Sequence, residues 1–292
     1  MKKAFNILIY ISLAFLVYFM IRNDYFRLAG FSANPLYLGF SILLLFVGFI
    51  LQSLCWWKAL RVHGFSRGVR ESIISHGQAI FAKYIPGKLW VILGRAGYLT
   101  TGKKEFKDYS FVSLKEQLIY IWVGLLISAV PVFIYYGFRW MSAFVAGITI
   151  FLSLLLFSRA INRAIFSLAG KILRRTVEFP LIDFKKSLPI IIFELIFWFV
   201  ISSAFLLFIA AIAPPPALVM AFAYPLSICL GILAIILPGG LGVREGVLAG
   251  FLVLAGMDLP TATTLSVLSR IWYILGEVFI FTTASLLRLR NK

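Results

Sequence analysis

Residues 236–246 read ILPGGLGVREG, and they interrupt an apolar run that extends from 217 to 256. Proline removes a backbone donor and glycine reaches conformations that other residues avoid, so Pro-Gly-Gly breaks a helix. Arg244 and Glu245 then follow side by side. On a soluble surface such a stretch would be an ordinary loop. Its flanks are too apolar for that, so the fold depends on what surrounds the break.

Composition supplies the setting. The chain has 292 residues, of which 62% are hydrophobic and 13% charged, with a mean hydropathy of +0.99. That is more apolar surface than one soluble core can bury. Stretches 4–21, 37–57, 111–136, 141–158, 188–212, 218–237 and 261–287 are the candidate spans, judged against the roughly 20 apolar residues that cross about 30 Å of hydrocarbon as a helix. The alternation of a lipid-facing β-barrel is missing. The expected fold is an all-α polytopic membrane protein with a single transmembrane domain over 1–292 and about seven spanning helices.

The formal net charge of +17 does not point to nucleic acid, because the cations lie between apolar spans. If the spans alternate, Lys2, Lys3 and the clusters at 58–70, 103–107, 159–186 and 288–292 share one side, and only Arg22, Arg27 and Arg139 fall on the other. Positively charged loops stay in the cytoplasm, so both termini are expected there, in a multi-pass protein of the cytoplasmic (inner) membrane. The basic loops would meet anionic lipid headgroups. The opening MKKAFNILIYISLAFLVYFMIRND has the basic head and apolar middle of a signal peptide. No small-x-small cleavage site follows, and a retained anchor is expected. Cys55 and Cys229 fall in apolar spans, as packing residues rather than a disulfide or metal pair.

Two segments do not fit single crossings. Residues 72–100, SIISHGQAIFAKYIPGKLWVILGRAGYLT, have basic clusters on both flanks and must return to the face they left. With Pro86-Gly87 near the middle, each arm is roughly 20 Å long as a helix, too short to span. Residues 217–256 must likewise begin and end on the outer side if the last span is to deliver Arg288 and Arg290 to the cytoplasm. The first is a candidate re-entrant hairpin, and the second is either a tight full hairpin or a re-entrant element from the opposite face; YIPGKLW and ILPGGLG suggest an inverted relation with the breaks meeting near mid-bilayer. Free backbone groups at such breaks need protein or water around them. Residues 158–187 place Ile161, Ile165, Leu168 and Ile172 among Arg159, Arg163, Lys171 and Arg175, the pattern of a basic amphipathic helix on an anionic leaflet or of a solvated linker.

The remaining signal is charge where lipid should be. Lys83, Lys88, Arg95, Lys115, Glu116, Glu194, Arg244, Glu245, Arg270 and Glu277 all lie in apolar surroundings. Such groups face a bundle interior, pair, or line a pathway. Lys88 and Arg95 are seven apart, on one face of the arm after the first break, where a helix N-terminus also attracts anions such as phosphate. Arg270 and Glu277 repeat that spacing in the last span with Tyr273 between them. Lys115, Glu116 and Glu194 lie near the ends of their spans, where a place at the headgroup boundary competes with an interior one. A buried ion-pair network that only holds the bundle together competes for the others. His63 and His76 are the only histidines, no metal-ligand spacing occurs, and neither a nucleophile elbow nor a phosphate loop is present, so no cofactor, metal or catalytic motif is expected.

AKYIPGKLWVILGR at 82–95 and LPGGLGVREGVL at 237–248, with Glu116 and the Arg and Glu of the last span, resemble the transmembrane region of lysylphosphatidylglycerol synthase/flippase proteins, the multiple peptide resistance factor group. The resemblance runs from about residue 4 to 287. It implies a domain that moves a phospholipid or lipid-linked headgroup between leaflets, or alternatively an enzyme or accessory subunit of lipid-linked glycan and polyprenyl-phosphate metabolism. By the same resemblance Lys83, Lys88, Arg95, Glu116, Arg244, Glu245, Arg270 and Glu277 are the substrate-binding candidates. Bifunctional members carry an aminoacyl-transferase domain after this region, whereas the sequence here ends at RLRNK, so lipid aminoacylation is not carried over. A homodimer is compatible with the sequence, which marks no interface.

Overall fold

A computed structural model describes residues 33–85, 89–100, 102–164, 167, 184–214, 217–234 and 238–289. Among them there are no strands. The helices are α1 (Pro35–Val62), α2 (Val69–Ala79), α3 (Trp90–Leu99), α4 (Lys103–Tyr136), α5 (Trp140–Phe157), α6 (Phe184–Ile212), α7 (Ala223–Leu233), α8 (Val243–Leu254) and α9 (Leu259–Leu289). Tight 3-10 turns at Ile80–Tyr84, Leu218–Phe222 and Pro238–Gly240 join them. The chain is an all-α polytopic membrane protein. Among the described residues, α1, α4, α5, α6 and α9 are long and apolar enough to cross a bilayer.

The surface shows why. On α1, Leu36, Phe40, Leu43, Val47 and Ile50 are exposed at steps of three and four residues, one continuous apolar stripe. Leu188, Ile192, Ile196 and Phe199 make another on α6. Such stripes suit acyl chains, and the polar groups turn inward. Small residues bring the helices close. Ser41 Oγ donates to the Ala204 carbonyl at 2.7 Å, and Asn34 N donates to the Ala211 carbonyl at 2.7 Å, which sets α1 antiparallel to α6. Gly48 faces Ile201 across the same interface. Asn34 caps α1 by accepting from Leu36 N at 3.0 Å. At its other end His63 donates from Nδ1 to the Ala59 carbonyl at 2.7 Å.

The expected span 218–237 is corrected: it is a 3-10 turn followed by the eleven-residue helix α7. Its hydropathy is that of a span, but the chain then bends through left-handed glycines, Gly239 at φ 58°, Gly240 at φ 71° and Gly242 at φ 82°. The expected span 4–21 and the first break at residues 86–88 lie outside the described residues. So does most of 158–187, of which 159–164 is helical.

The short helices form two hairpins, α2 against α3 and α7 against α8. They pack on opposite halves of α9. Gln78 Nε2 donates to Ser285 Oγ at 2.7 Å and Arg70 Nη2 to the Leu287 carbonyl at 2.7 Å, so α2 follows the C-terminal half. Helix α8 follows the N-terminal half, where Arg270 meets Glu245. The tips meet: a side chain on Gly239 would come within 2.7 Å of the Tyr84 ring, while within the second hairpin one on Gly240 would come within 2.7 Å of Gly231 on α7.

Candidate functional site

Where the tips meet, α9 supplies the common wall. Arg270, Tyr273 and Glu277 lie at i, i+3 and i+7, all buried on one face. Glu277 serves the first hairpin: Lys83 Nζ stands 2.5 Å from Oε1, and the Tyr84 hydroxyl donates to Oε2 at 2.8 Å. Arg270 serves the second, donating from Nη1 to Glu245 Oε1 at 3.2 Å. The other oxygen of Glu245 accepts from Gly242 N at 2.7 Å, so one carboxylate both starts α8 and ties it to α9. The Arg270 guanidinium also lies 5.6 Å from the centre of the Tyr84 ring, across the tip contact.

Arg95, on α3, donates from Nη1 to Glu116 Oε2 on α4 at 2.6 Å, with its guanidinium 5.6 Å from the centre of the Trp56 ring. Arg244 differs. It donates to the Tyr224 hydroxyl, and its guanidinium stands 4.4 Å from the centre of the Tyr273 ring. No carboxylate among the described residues forms an ion pair with it, whereas Lys83, Arg95 and Arg270 each have one. Its Nε, like those of Arg95 and Arg270, is buried without a partner.

These groups surround a cavity of about 100 Å³, whose wall includes Lys83, Tyr84, Arg95, Arg244, Arg270 and Tyr273. A water needs roughly 10–15 Å³ on this measure, so several fit. The wall holds four cations against three carboxylates that pair with them, and the excess positive charge is that of Arg244. Of the paired groups, Lys83 keeps 26% of its side chain exposed while Glu277 keeps 1%. The arrangement is a cationic recess held by ion pairs and tyrosines, large enough for water, in which the Arg244 guanidinium has only tyrosine partners.

Of the residues expected from sequence, Lys83, Arg95, Glu116, Arg244, Glu245, Arg270 and Glu277 contribute to this one assembly, and Lys88 lies outside the described residues. Arg95 is engaged by Glu116 rather than standing free at a helix N-terminus. Lys115, Glu116 and Glu194 are 2%, 1% and 0% exposed, enclosed by neighbouring helices rather than reaching outward. Tyr84, Tyr224 and Gln52 were not expected from sequence. Tyr84 lies two residues before Pro86 and Tyr224 directly before Pro225, and a hydroxyl close to a proline is the available signal. Among the described residues no cluster of histidine, cysteine, aspartate or glutamate could hold a metal ion.

A helical bundle that turns its charges inward around two broken hairpins is an integral membrane protein built around a polar interior. The chain belongs to the lysylphosphatidylglycerol synthase TM region family, which matches it over residues 4–279. No curated protein matches it. Family membership makes it a lipid-related membrane protein.

Proposed function

We propose that the protein is a lipid translocase of the cytoplasmic membrane, moving a phospholipid or lipid-linked headgroup between leaflets while its acyl chains stay in the bilayer. The observation that carries this reading is Arg244, a buried guanidinium lining the cavity with no carboxylate ion-paired to it among the described residues. Hydrogen bonds with a charged partner are worth about 1.5–3 kcal/mol, and arginine suits the oxygens of a phosphate. Lys83 and Arg270 stand by as exchangeable cations, because a phosphate entering beside them takes the place of a carboxylate oxygen. Glu277, once released from Lys83, accepts an amine on the headgroup. Paired charges around water lower the barrier that oil sets against a headgroup.

In this reading the two hairpins are re-entrant, the first entering from the cytoplasm and the second from outside, and α9 carries the path between them. Their contacts with opposite halves of α9 and the meeting of their tips support it. The basic loops hold the cytoplasmic face against anionic lipid.

The test is leaflet exchange of fluorescent phospholipids in proteoliposomes. Exchange is expected to exceed that of empty liposomes and to fall about tenfold or more in Arg244→Ala, which corresponds to the lost phosphate contact. This variant orphans no carboxylate, so its thermal stability in detergent should stay close to the parent. Arg244→Lys should be intermediate, keeping the charge without the fork. Exchange equal to empty liposomes across anionic, zwitterionic and aminoacylated headgroups would overturn the reading, and headgroup turnover without exchange would make the protein an enzyme.

A further inference from the structure

Behind the cavity wall, one acid has no part in the network described so far. Glu194, in the middle of α6, is 0% exposed, and no nitrogen or oxygen donor among the described residues reaches either of its carboxylate oxygens. The groups acting on it electrostatically come from each side: Cys55 on α1, Arg95 on α3, Glu116 and Tyr120 on α4, and Cys229 on α7. Only one of them is a cation, and Arg95 is already hydrogen-bonded to Glu116. Lys115, the next cation on α4, acts on His63 at the end of α1. Two fully buried carboxyls therefore face one guanidinium. An unpaired carboxylate in such surroundings is too costly to keep ionised and takes up a proton instead.

We infer that Glu194 is a proton-binding site, in which Glu194 and Glu116 share the single guanidinium of Arg95 and one proton between them. The step balances simply. Glu194–COOH gives its proton to a water and becomes a carboxylate, with no other bond made or broken. Arg95 also lines the cavity, which is large enough for water, so a water there would stand one side chain from the pair and could accept the proton. Tyr120 likewise lines the cavity and lies within electrostatic range of Glu194.

The proton site rests on burial and charge alone. Its use as a coupling site rests on the translocase reading and deepens it. A phosphate at Arg244 adds negative charge to the same interior and favours the protonated pair, and its departure favours release, so headgroup and proton would move in the same direction.

Infrared spectroscopy of the purified protein at neutral pH tests the site without any transport assay. The parent should show the C=O stretch of a buried carboxylic acid, and Glu194→Gln should lose it with an unchanged thermal midpoint, since a neutral amide replaces a neutral acid. Glu116→Gln should lose the band as well, because Arg95 becomes free to pair with Glu194, which then ionises. Loss of a carboxylate band in Glu194→Gln, or a variant that no longer folds, would overturn the inference. Persistence of the acid band in Glu116→Gln would overturn the sharing. A positive result here with no lipid exchange in proteoliposomes would leave the proton site standing and remove the translocase.

Discussion

At the scale of single residues, the site depends on groups whose neighbours alone explain them. Gly239 sits at φ 58° against the face of Tyr84 and beside Arg270, so no side chain fits where the tips touch. Arg244 is read as a binding group because it is the cation whose partners are all aromatic or hydroxyl. His63, just beyond the end of α1, makes a different point. Burial pushes its imidazole down to about 4, opposed by the hydrogen bond to Ala59 and assisted by Lys115. Its Nε2 is buried without a partner, so a proton placed there has nothing to donate to. The unfolded imidazole titrates near 6.5. As pH falls from about 6.5 toward 4 the unfolded chain binds a proton that the folded chain refuses, and stability declines over that window. Melting in detergent between pH 4 and 8 should show this decline, and His63→Gln should lessen it, the remainder belonging to His76, whose imidazole burial pushes down as well. A decline of equal size in the variant would assign it to other groups.

At the scale of elements, the sequence was legible wherever hydropathy and length act together. The stretches 37–57, 111–136, 188–212 and 261–287 fall within long helices, and 141–158 runs one residue past the end of its own. The segment 218–237 misled because hydropathy does not register a chain bending through left-handed glycines after eleven helical residues. Seven-residue spacing put Arg270 and Glu277 on one face, but it did not show that they serve different hairpins. Partner choice is a matter of tertiary contact: Lys83 and Tyr84 with Glu277, and Glu245 with Arg270. Glu194 was illegible for a related reason, since an acid near the end of an apolar stretch suits a headgroup boundary until neighbouring helices are seen to enclose it. The tie between α8 and α9 can be checked. Glu245→Ala strands a buried Arg270 and undoes the start of α8, and should cost about 3–5 kcal/mol. The double variant Glu245→Leu/Arg270→Met should recover most of that, because it leaves no buried charge alone. Additive losses in thermal unfolding would show that the pair does not couple the two helices.

At the scale of the whole molecule, the arrangement makes a definite statement about sides. Basic clusters at 58–70, 103–107 and 288–292 predict a cytoplasmic face, and Arg139 and Asp258 an outer one. Cys55 and Cys229 are buried, so single cysteines introduced elsewhere can be read against a quiet background. In intact cells an impermeant maleimide should label Arg139→Cys and Asp258→Cys, and should label Lys104→Cys and Arg288→Cys only after lysis. All four positions are exposed. Labelling of Lys104→Cys from outside would invert the topology and the direction assigned to each hairpin. The size of the recess carries a last consequence. Sites for small molecules usually run to about 300–1,000 Å³, against about 100 Å³ here. For the proposed translocase this is a shut gate: water could wait inside, but no headgroup could pass until Gly239 lifted from the ring of Tyr84 and the two hairpin tips drew apart.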